Sequence, residues 1–329
     1  MHLKNKISLV YRSRRSMTPR KVWNYALVWL SERLSYLLKH PIVWGFPLWT
    51  IIEPANACNL NCPGCYTGGG LRKDKSDILD FEIFKKVVDG IPKSSMGILL
   101  YFRGEPMLNK RIVDMIKYAK SKGFIVRTGT NAQLIDTPEL AYELVKSGLD
   151  WIRIPIDGAT EESYSKYRVG GTLEKAKNAI RLLSEAKKEL NSPTPTILAQ
   201  FIVFKHTEDE IEEGRKIAYE CGADQFYLKT PMVFSAEQGK ELLPKNKKFW
   251  RYNETPDGLE LKSINQNRCR RLWTYYNINV DGVVVPCCFD ANKDYAMGNA
   301  FEESVREIWK KKEYMEFRKA VIQNRKSIS

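Results

Sequence analysis

Three of the seven cysteines in this 329-residue sequence lie within eight positions of one another. They are Cys58, Cys62 and Cys65, in the stretch EPANACNLNCPGCYTGG. Four thiolates normally hold a [4Fe-4S] cluster, one at each iron. Three thiolates on one loop would leave one iron open, as a catalytic zinc keeps a position for a ligand that is not protein. The spacing therefore predicts an iron-sulfur cluster with one iron available to a small molecule.

A zinc site is the main alternative for these cysteines. Structural zinc requires a fourth ligand, usually a cysteine or histidine at close spacing. The three histidines of the chain, His2, His40 and His206, lie far from the motif and form no paired ligand motif. A zinc-stabilised protein that binds RNA or a membrane stays open as a hypothesis, because the net charge is +14.

The composition is that of an ordinary globular protein, with 43% hydrophobic and 28% charged residues. The sequence contains no apolar run of the length that a membrane span or a signal peptide requires. We therefore expect a cytoplasmic protein, in which clustered cysteines favour metal or redox chemistry over disulfides. No recognition motif accompanies the positive charge, so we expect no nucleic-acid partner.

Residues 1–45 are predicted to be a basic amphipathic N-terminal segment. Nine lysines or arginines stand against a single acid, Glu32, in the first 39 positions. One interpretation is a helix packed on the main domain with its basic face in solvent. The other is a helix whose residues 18–40 lie on an anionic membrane surface. The helix would begin at Pro19, and its apolar residues recur at helical spacing: Trp23, Leu27, Leu30, Leu34 and Leu38.

Residues 46–234 alternate between apolar runs and helical patterns. Such alternation is typical of a parallel sheet with right-handed crossovers. The carboxyl ends of the strands carry the chemistry in such sheets, and the cysteine loop directly follows the first predicted strand. The predicted strands are 46–54, 97–102, 124–130, 150–157, 196–204 and 225–230.

The alternation stops after residue 231, so residues 235–329 are predicted to form a separate unit. A polar stretch at 235–268 leads into two apolar runs on either side of Asp281-Gly282. An Asp-Gly pair between such runs predicts a β-hairpin. This hairpin carries cysteines at its start and end.

These residues together resemble the radical S-adenosylmethionine (SAM) enzymes. Cys58, Cys62 and Cys65 match the C-x3-C-x2-C signature of that family, and an aromatic residue, Tyr66, follows as it often does there. The stretch RGEP that begins at Arg103, after the second predicted strand, is similar to the family's GGEP motif. The resemblance runs from Pro47 onward and leaves out the N-terminal helix.

The C-terminal segment resembles the SPASM and twitch extensions of the same family, which carry auxiliary iron-sulfur clusters. The resemblance implies Cys269 and Cys287 as auxiliary ligands, with Cys288 as a weaker candidate and Cys221 as a reserve. Extensions of this type usually continue to a further cysteine pair. This difference implies either an incomplete auxiliary cluster or a sequence that stops short of its natural end.

The resemblance implies a fold and a mechanism. The fold would be α/β, a partial (β/α)6 barrel similar to a TIM barrel, with a small C-terminal hairpin and helix extension and the N-terminal helix. The [4Fe-4S] cluster would bind SAM, and an electron donor such as flavodoxin or ferredoxin would reduce it. Cleavage of SAM would give a 5′-deoxyadenosyl radical that removes hydrogen from a peptide or small-molecule substrate, in an oxidation or cross-linking reaction.

Four further residues receive roles from the resemblance. Glu105 would accept a hydrogen bond from the SAM amino group. Asn131 would bind the ribose, and Arg168 would pair with the SAM carboxylate. Gln200 would point into the barrel. The alternative from another functional class is an iron-sulfur electron carrier or sensor that does not turn over SAM.

Overall fold

The computed structural model describes residues 17–72, 74, 76–263 and 266–328. All six predicted strands are present and alternate with helices. The strands of this part are β1 (Trp49–Ile52), β2 (Gly97–Leu100), β3 (Ile125–Gly129), β4 (Trp151–Pro155), β5 (Thr196–Ile202) and β6 (Gln225–Lys229). The helices up to β6 are α1 (Pro19–Leu38), α2 (Phe81–Gly90), α3 (Ile112–Ser121), α4 (Pro138–Lys146), α5 (Glu161–Tyr167), α6 (Leu173–Glu189) and α7 (Ile211–Glu220).

The remaining elements follow β6. They are α8 (Ala236–Leu242), β7 (Tyr252–Thr255), β8 (Gly258–Leu261), α9 (Arg271–Thr274), β9 (Tyr275–Ile278), β10 (Val284–Val285), α10 (Val305–Lys310) and α11 (Lys312–Asn324). The predicted hairpin at Asp281-Gly282 is confirmed, because β9 and β10 pair antiparallel. The polar stretch 235–268, which the sequence predicts as a linker to the C-terminal hairpin, contains α8 and the β7–β8 hairpin.

One sheet of eight strands organises the molecule, in the order β10-β9-β1-β2-β3-β4-β5-β6. Strands β1 to β6 are parallel to their neighbours, as the alternation predicts. Strand β9 pairs parallel with β1, from Trp49 opposite Tyr275 to Ile52 opposite Ile278. The C-terminal segment therefore extends the barrel sheet directly. The predicted domain boundaries after residues 45 and 234 stay a prediction.

The two faces of the sheet differ in burial. The face turned to the helices is closed, with Ile98, Val126, Ile152 and Ile197 fully buried in the main hydrophobic core. Because side chains alternate along a strand, the residues between them point to the other face. There Arg127, Trp151 and Arg153 are only partly buried. The sheet thus has a sealed outer face and an inner face that solvent reaches.

Helix α1 packs on the domain through its polar side, which differs from the expected burial of its apolar residues. Asn24 makes two hydrogen bonds to the backbone of Phe46, at 2.8 and 2.9 Å. The hydroxyls of Ser31 and Ser35 accept hydrogen bonds from the backbone of the segment that follows the helix. These bonds hold the polar side inward because each satisfies a buried group.

The apolar side of α1 is consequently exposed. Leu27 and Leu34 are half-buried, but Trp23, Leu30 and Leu38 of the predicted stripe face outward. Among the described residues, no helix is long and apolar enough to cross a membrane. The exposed apolar side chains are Val22, Trp23, Trp29, Leu30, Leu37, Leu38 and the nearby Trp44.

Candidate active site

The cysteine loop directly follows β1 and turns tightly. The backbone N–H of Cys65 donates to the carbonyl of Cys62 at 3.0 Å. A Cβ atom at Gly68 would lie 2.6 Å from the Cys62 nitrogen, and one at Gly69 would lie 2.7 Å from the Cys65 carbonyl. Because real Cβ atoms do not approach so closely, glycines are required where the chain folds back over the cysteines.

The three thiols of the loop are reduced and influence one another. Burial, together with the nearby Glu105, Cys65 and Cys62, raises the pKa of Cys58 to about 11. Burial also raises the pKa of Cys62. Among the described residues no three His, Cys, Asp or Glu side chains could hold a single metal ion. Three reduced thiols on one loop fit the three-thiolate cluster that the spacing predicts, and binding would displace their protons.

Glu105 is buried beside this loop, immediately after β2. Its carboxylate accepts hydrogen bonds from the Thr130 hydroxyl at 2.6 Å, the Asn131 N–H at 2.7 Å and the Met107 N–H at 3.0 Å. Burial raises the pKa of Glu105, and these hydrogen bonds oppose the increase. A carboxylate has about four lone-pair positions, so one acceptor position is left for a further donor.

Asn131 connects Glu105 to the cysteine loop. Its side-chain amide donates to Asn59 Oδ1 at 2.7 Å and lies 3.7 Å from the sulfur of Cys58. Its carbonyl oxygen Oδ1 accepts from the backbone of Gln133 at 3.0 Å. The structure therefore brings Asn131 and Glu105 together against Cys58.

Arg168 approaches the loop from the other side. Its Nη1 lies 3.8 Å from the sulfur of Cys62, and its Nε donates to Asp157 Oδ2 at 2.7 Å. Burial alone would lower the pKa of Arg168, but Asp157 and Cys62 raise it well above its usual value. Asp157 is itself fully buried and accepts from Ile202 N–H at 2.7 Å. The guanidinium is therefore a fixed positive charge next to Cys62.

Gln200 lies on the inner face of β5, level with Pro155 and Tyr227. It is buried, and its Oε1 accepts a hydrogen bond from the Tyr227 hydroxyl at 2.5 Å. Its position agrees with the predicted inward direction. Its side-chain hydrogen bond is to a tyrosine, and not to a residue of the cysteine loop.

The auxiliary cysteines gather at the hairpin. Cys269 and Cys287 both pack against the main core and interact electrostatically. Cys287 shares a hydrogen bond with Cys288, which lowers the pKa of Cys288, and the Arg271 guanidinium 3.0 Å from its sulfur lowers it further. The ranking of Cys287 above Cys288 as a ligand stays a prediction.

Cys221 lies apart from this group. It ends helix α7 and is buried, with Arg181 and Lys177 as its charged neighbours. This position gives no support to the prediction that Cys221 is a reserve ligand of the auxiliary cluster.

Arg103 joins the two cysteine-bearing regions. Its guanidinium donates to Asn279 Oδ1 at 2.8 Å and to the Asp290 carbonyl at 2.7 Å. Its backbone N–H donates to Glu53 at 3.2 Å. Tyr66 also hydrogen-bonds to Asn292 across the same junction. The arginine that replaces the first glycine of GGEP thus holds the C-terminal segment against the barrel.

We expect Arg103→Ala to loosen this junction. Two hydrogen bonds from a charged donor would be lost, which costs about 1.5 to 3 kcal/mol each. Hydrogen exchange should accelerate in residues 279–293 while β3 and β4 stay protected. Arg181→Ala, which removes an exposed arginine from α6, is the matched control. Equal exchange in both variants would contradict the role of Arg103.

Several residues of the site were not identified from the sequence. Asp157 could have been found, because it is an acid placed directly after a buried strand. Thr130 carries no such signal, since its function is a hydrogen bond to a residue 25 positions away. Arg153 and Lys229 on the inner face were also not assigned.

Two protein-family models match this chain. The Radical SAM superfamily model matches residues 52–220, just over half of the chain. The SPASM model, described as an iron-sulfur cluster-binding domain, matches residues 269–328. The cofactors are therefore SAM and iron-sulfur clusters.

Individual relatives are distant. The chain is 24% identical to the "tungsten-containing aldehyde ferredoxin oxidoreductase cofactor-modifying protein" of Pyrococcus furiosus, over 81% of this chain and 82% of that one. BtrN in complex with AdoMet and 2-DOIA is similar in fold, with a TM-score of 0.57, 18% identity, and coverage of 88% of this chain and 92% of BtrN.

A second solved structure has the same fold. Streptococcus suis SuiB bound to precursor peptide SuiA gives a TM-score of 0.62 and 16% identity, over 84% of this chain and 67% of SuiB. These likenesses confirm the predicted partial barrel. With the match over residues 52–220, they show that this chain belongs to the radical SAM superfamily.

Proposed function

We propose that this protein removes a hydrogen atom from a C–H bond of an organic substrate, a peptide or a small molecule, in an oxidation or cross-linking reaction. The observation that carries the proposal is the convergence of Glu105, Asn131 and Arg168 on the Cys58–Cys65 loop. When bound, the cluster supplies one electron to SAM, which breaks into methionine and a 5′-deoxyadenosyl radical.

The protein would orient SAM through complementary charges. The free acceptor position of Glu105 suits the SAM amino group, and Arg168 suits its carboxylate. The second acceptor position of Asn131 Oδ1 would suit a ribose hydroxyl. A substrate bound against the inner face of the sheet would cover the radical and limit its access to water. Each of these roles belongs to a residue already held by neighbours, so little reordering is needed on binding.

A net oxidation requires the substrate radical to lose one further electron. We propose that Cys269 and Cys287, with Cys288 as a further candidate, would hold an auxiliary cluster, which would supply an anchor for the substrate or an acceptor for that electron. The similar proteins differ in what they bind: SuiB was solved bound to a precursor peptide, and BtrN in complex with 2-DOIA. The proposal therefore keeps both a peptide and a small molecule as possible classes of substrate.

The test is the formation of 5′-deoxyadenosine from SAM by protein reconstituted without oxygen. We expect product with dithionite, and with a reduced flavodoxin or ferredoxin as electron donor. Iron and sulfide with little zinc should accompany it. Bound iron and bound SAM without any product would contradict the proposal and favour an electron carrier or sensor.

We further propose that α1 lies on an anionic membrane at the cytoplasmic surface. Trp23 and Leu37 are 67% and 76% exposed, and five more large apolar side chains surround them. An apolar patch of this size on a surface marks an interaction site. The partner is argued to be an anionic bilayer because tryptophans suit the interface and the first 39 residues carry a net charge of +8.

Vesicle flotation tests the membrane proposal. The wild-type protein should float with vesicles of phosphatidylcholine and phosphatidylglycerol at low salt, and less at high salt. The variant Trp23→Ser, Trp29→Ser, Leu37→Ser should partition about tenfold more weakly, because it loses buried apolar area. Tyr219→Ser, which removes a comparably exposed aromatic from α7, is the control. Failure of the wild type to float at low salt would refute membrane binding.

A further inference from the structure

The inner face of the sheet carries more positive than negative charge. Arg127, Arg153 and Lys229 all lie on this face and are partly buried. Among the described residues none of the three has a carboxylate within ion-pair distance. Asp157, an acid at the carboxyl ends of the strands, is already bound to Arg168. The face therefore has an uncompensated positive charge.

Arg153 and Lys229 are the two of these cations closest to the candidate SAM site. Burial and repulsion from Arg153, Arg168 and Arg251, against attraction by Asp157, together lower the pKa of Lys229 to about 8. Its ammonium group has no hydrogen-bond partner among the described residues. An enclosed cation without a partner is costly, so such a group is retained where an anion binds it.

The neighbours of these cations suit a ligand. The Arg153 guanidinium lies over the ring of Tyr101, 4.6 Å from its centroid, which fixes the direction of its donors. Tyr227, two residues before Lys229, holds Gln200 through its hydroxyl. Arg168, which interacts with Lys229, is 3.8 Å from the sulfur of Cys62. A ligand held by the two cations would thus lie next to the cysteine loop.

We propose that Arg153 and Lys229 form a subsite for an anionic group of the substrate, a carboxylate or a phosphate. The inference rests on the proposed function, because it places the substrate beside the SAM site. The carboxylate of SAM has the same chemistry, but Arg168 is the cation adjacent to the cysteine loop. We therefore assign the Arg153 and Lys229 subsite to the substrate.

Direct binding of small anions tests the subsite. Inorganic pyrophosphate, and in a second series succinate, is titrated calorimetrically into reconstituted full-length protein saturated with SAM, at constant ionic strength. We expect at least one of the two anions to bind the wild type. Lys229→Gln and Arg153→Gln should each weaken that binding tenfold or more. Lys117→Gln, which neutralises an exposed lysine on α3, should bind as the wild type does.

A second titration, with SAM alone, identifies which anion the subsite serves. We expect the affinity for SAM to change less than twofold in Lys229→Gln and Arg153→Gln. An equal loss of SAM and pyrophosphate affinity would assign the subsite to the SAM carboxylate and overturn the proposal. No binding of either anion to the wild type, or unchanged binding in both variants, would also overturn it. Circular dichroism of each variant confirms that it is folded.

The outcome is separable from that of the proposed function. Wild-type protein that forms 5′-deoxyadenosine but binds neither anion would refute the subsite alone. Protein that binds pyrophosphate through Lys229 and Arg153 but never cleaves SAM would refute the proposed function and leave the anion site in place.

Discussion

A variant in which Cys58, Cys62 and Cys65 are all alanine should form no 5′-deoxyadenosine, with a loss of at least a thousandfold. The reason is that the loop would have no thiolate left to bind the cluster. Without the cluster, no electron would be supplied for the cleavage of SAM. The product is measured by chromatography after anaerobic reconstitution with SAM and dithionite. We expect the overall fold to persist, because the core of the sheet lies on its other face.

Iron content in the same variant reports on the second site. Iron that remains would be bound by the group around Cys269 and Cys287, and a second variant with Cys269→Ala and Cys287→Ala should lose that fraction. Cys221→Ala is the matched control, since it removes a buried free cysteine that lies apart from both groups. Product from the triple variant at the wild-type rate would refute the assignment of the loop.

Glu105→Gln should weaken SAM binding by roughly a hundredfold, equivalent to about 3 kcal/mol. The glutamine would keep the volume but put an NH2 group in place of one carboxylate oxygen, either the one that accepts from the Asn131 N–H or the one that accepts from the Met107 N–H. Two donors would then face each other in a buried place, and Asn131 would move away from Cys58. Equilibrium binding of SAM to reconstituted protein measures the effect.

The control for this change is Glu139→Gln, which removes the charge of an exposed glutamate at the start of α4. We expect it to bind SAM as the wild type does. Cluster content is measured for both, because loss of iron would weaken SAM binding indirectly. A Glu105→Gln protein with full iron and unchanged SAM affinity would exclude Glu105 from the SAM site.

The barrel strands could be predicted because their signal is local. Runs of valine, isoleucine and leucine bounded by turn residues mark each buried strand, and Asp281-Gly282 marks the C-terminal hairpin. The β7–β8 hairpin has a similar turn signal in Thr255-Pro256-Asp257-Gly258, where Gly258 has a φ of 126°. The polar strands around it concealed the pattern.

The orientation of α1 could not be predicted in the same way. Its apolar residues recur at helical spacing, which indicates a buried stripe. The partners that reverse the orientation are backbone groups of Ile42, Trp44 and Phe46, and the sequence does not reveal those hydrogen bonds. Specific hydrogen bonds to buried groups outweigh the apolar pattern here, because a buried polar group without a hydrogen-bond partner would be costly.

The sequence proposes ligands for the candidate site but not the residues that hold those ligands in place. The cysteine spacing and the GEP motif are continuous in sequence and can be recognised alone. Asp157, which fixes Arg168, and Thr130, which fixes Glu105, act across the fold. Arg153 and Lys229 can be recognised as a candidate anion subsite only in the folded sheet, which places them on one face without carboxylate partners.

The pairing of β9 with β1 has a consequence for protein synthesis. Tyr275 leaves the ribosome 226 residues after Trp49, its partner in the sheet. Until then one edge of β1 has unpaired backbone groups, which can pair with another chain. Nascent or prematurely terminated chains should therefore aggregate or require a chaperone, and the final cooperative step of folding should wait for the C-terminal strand.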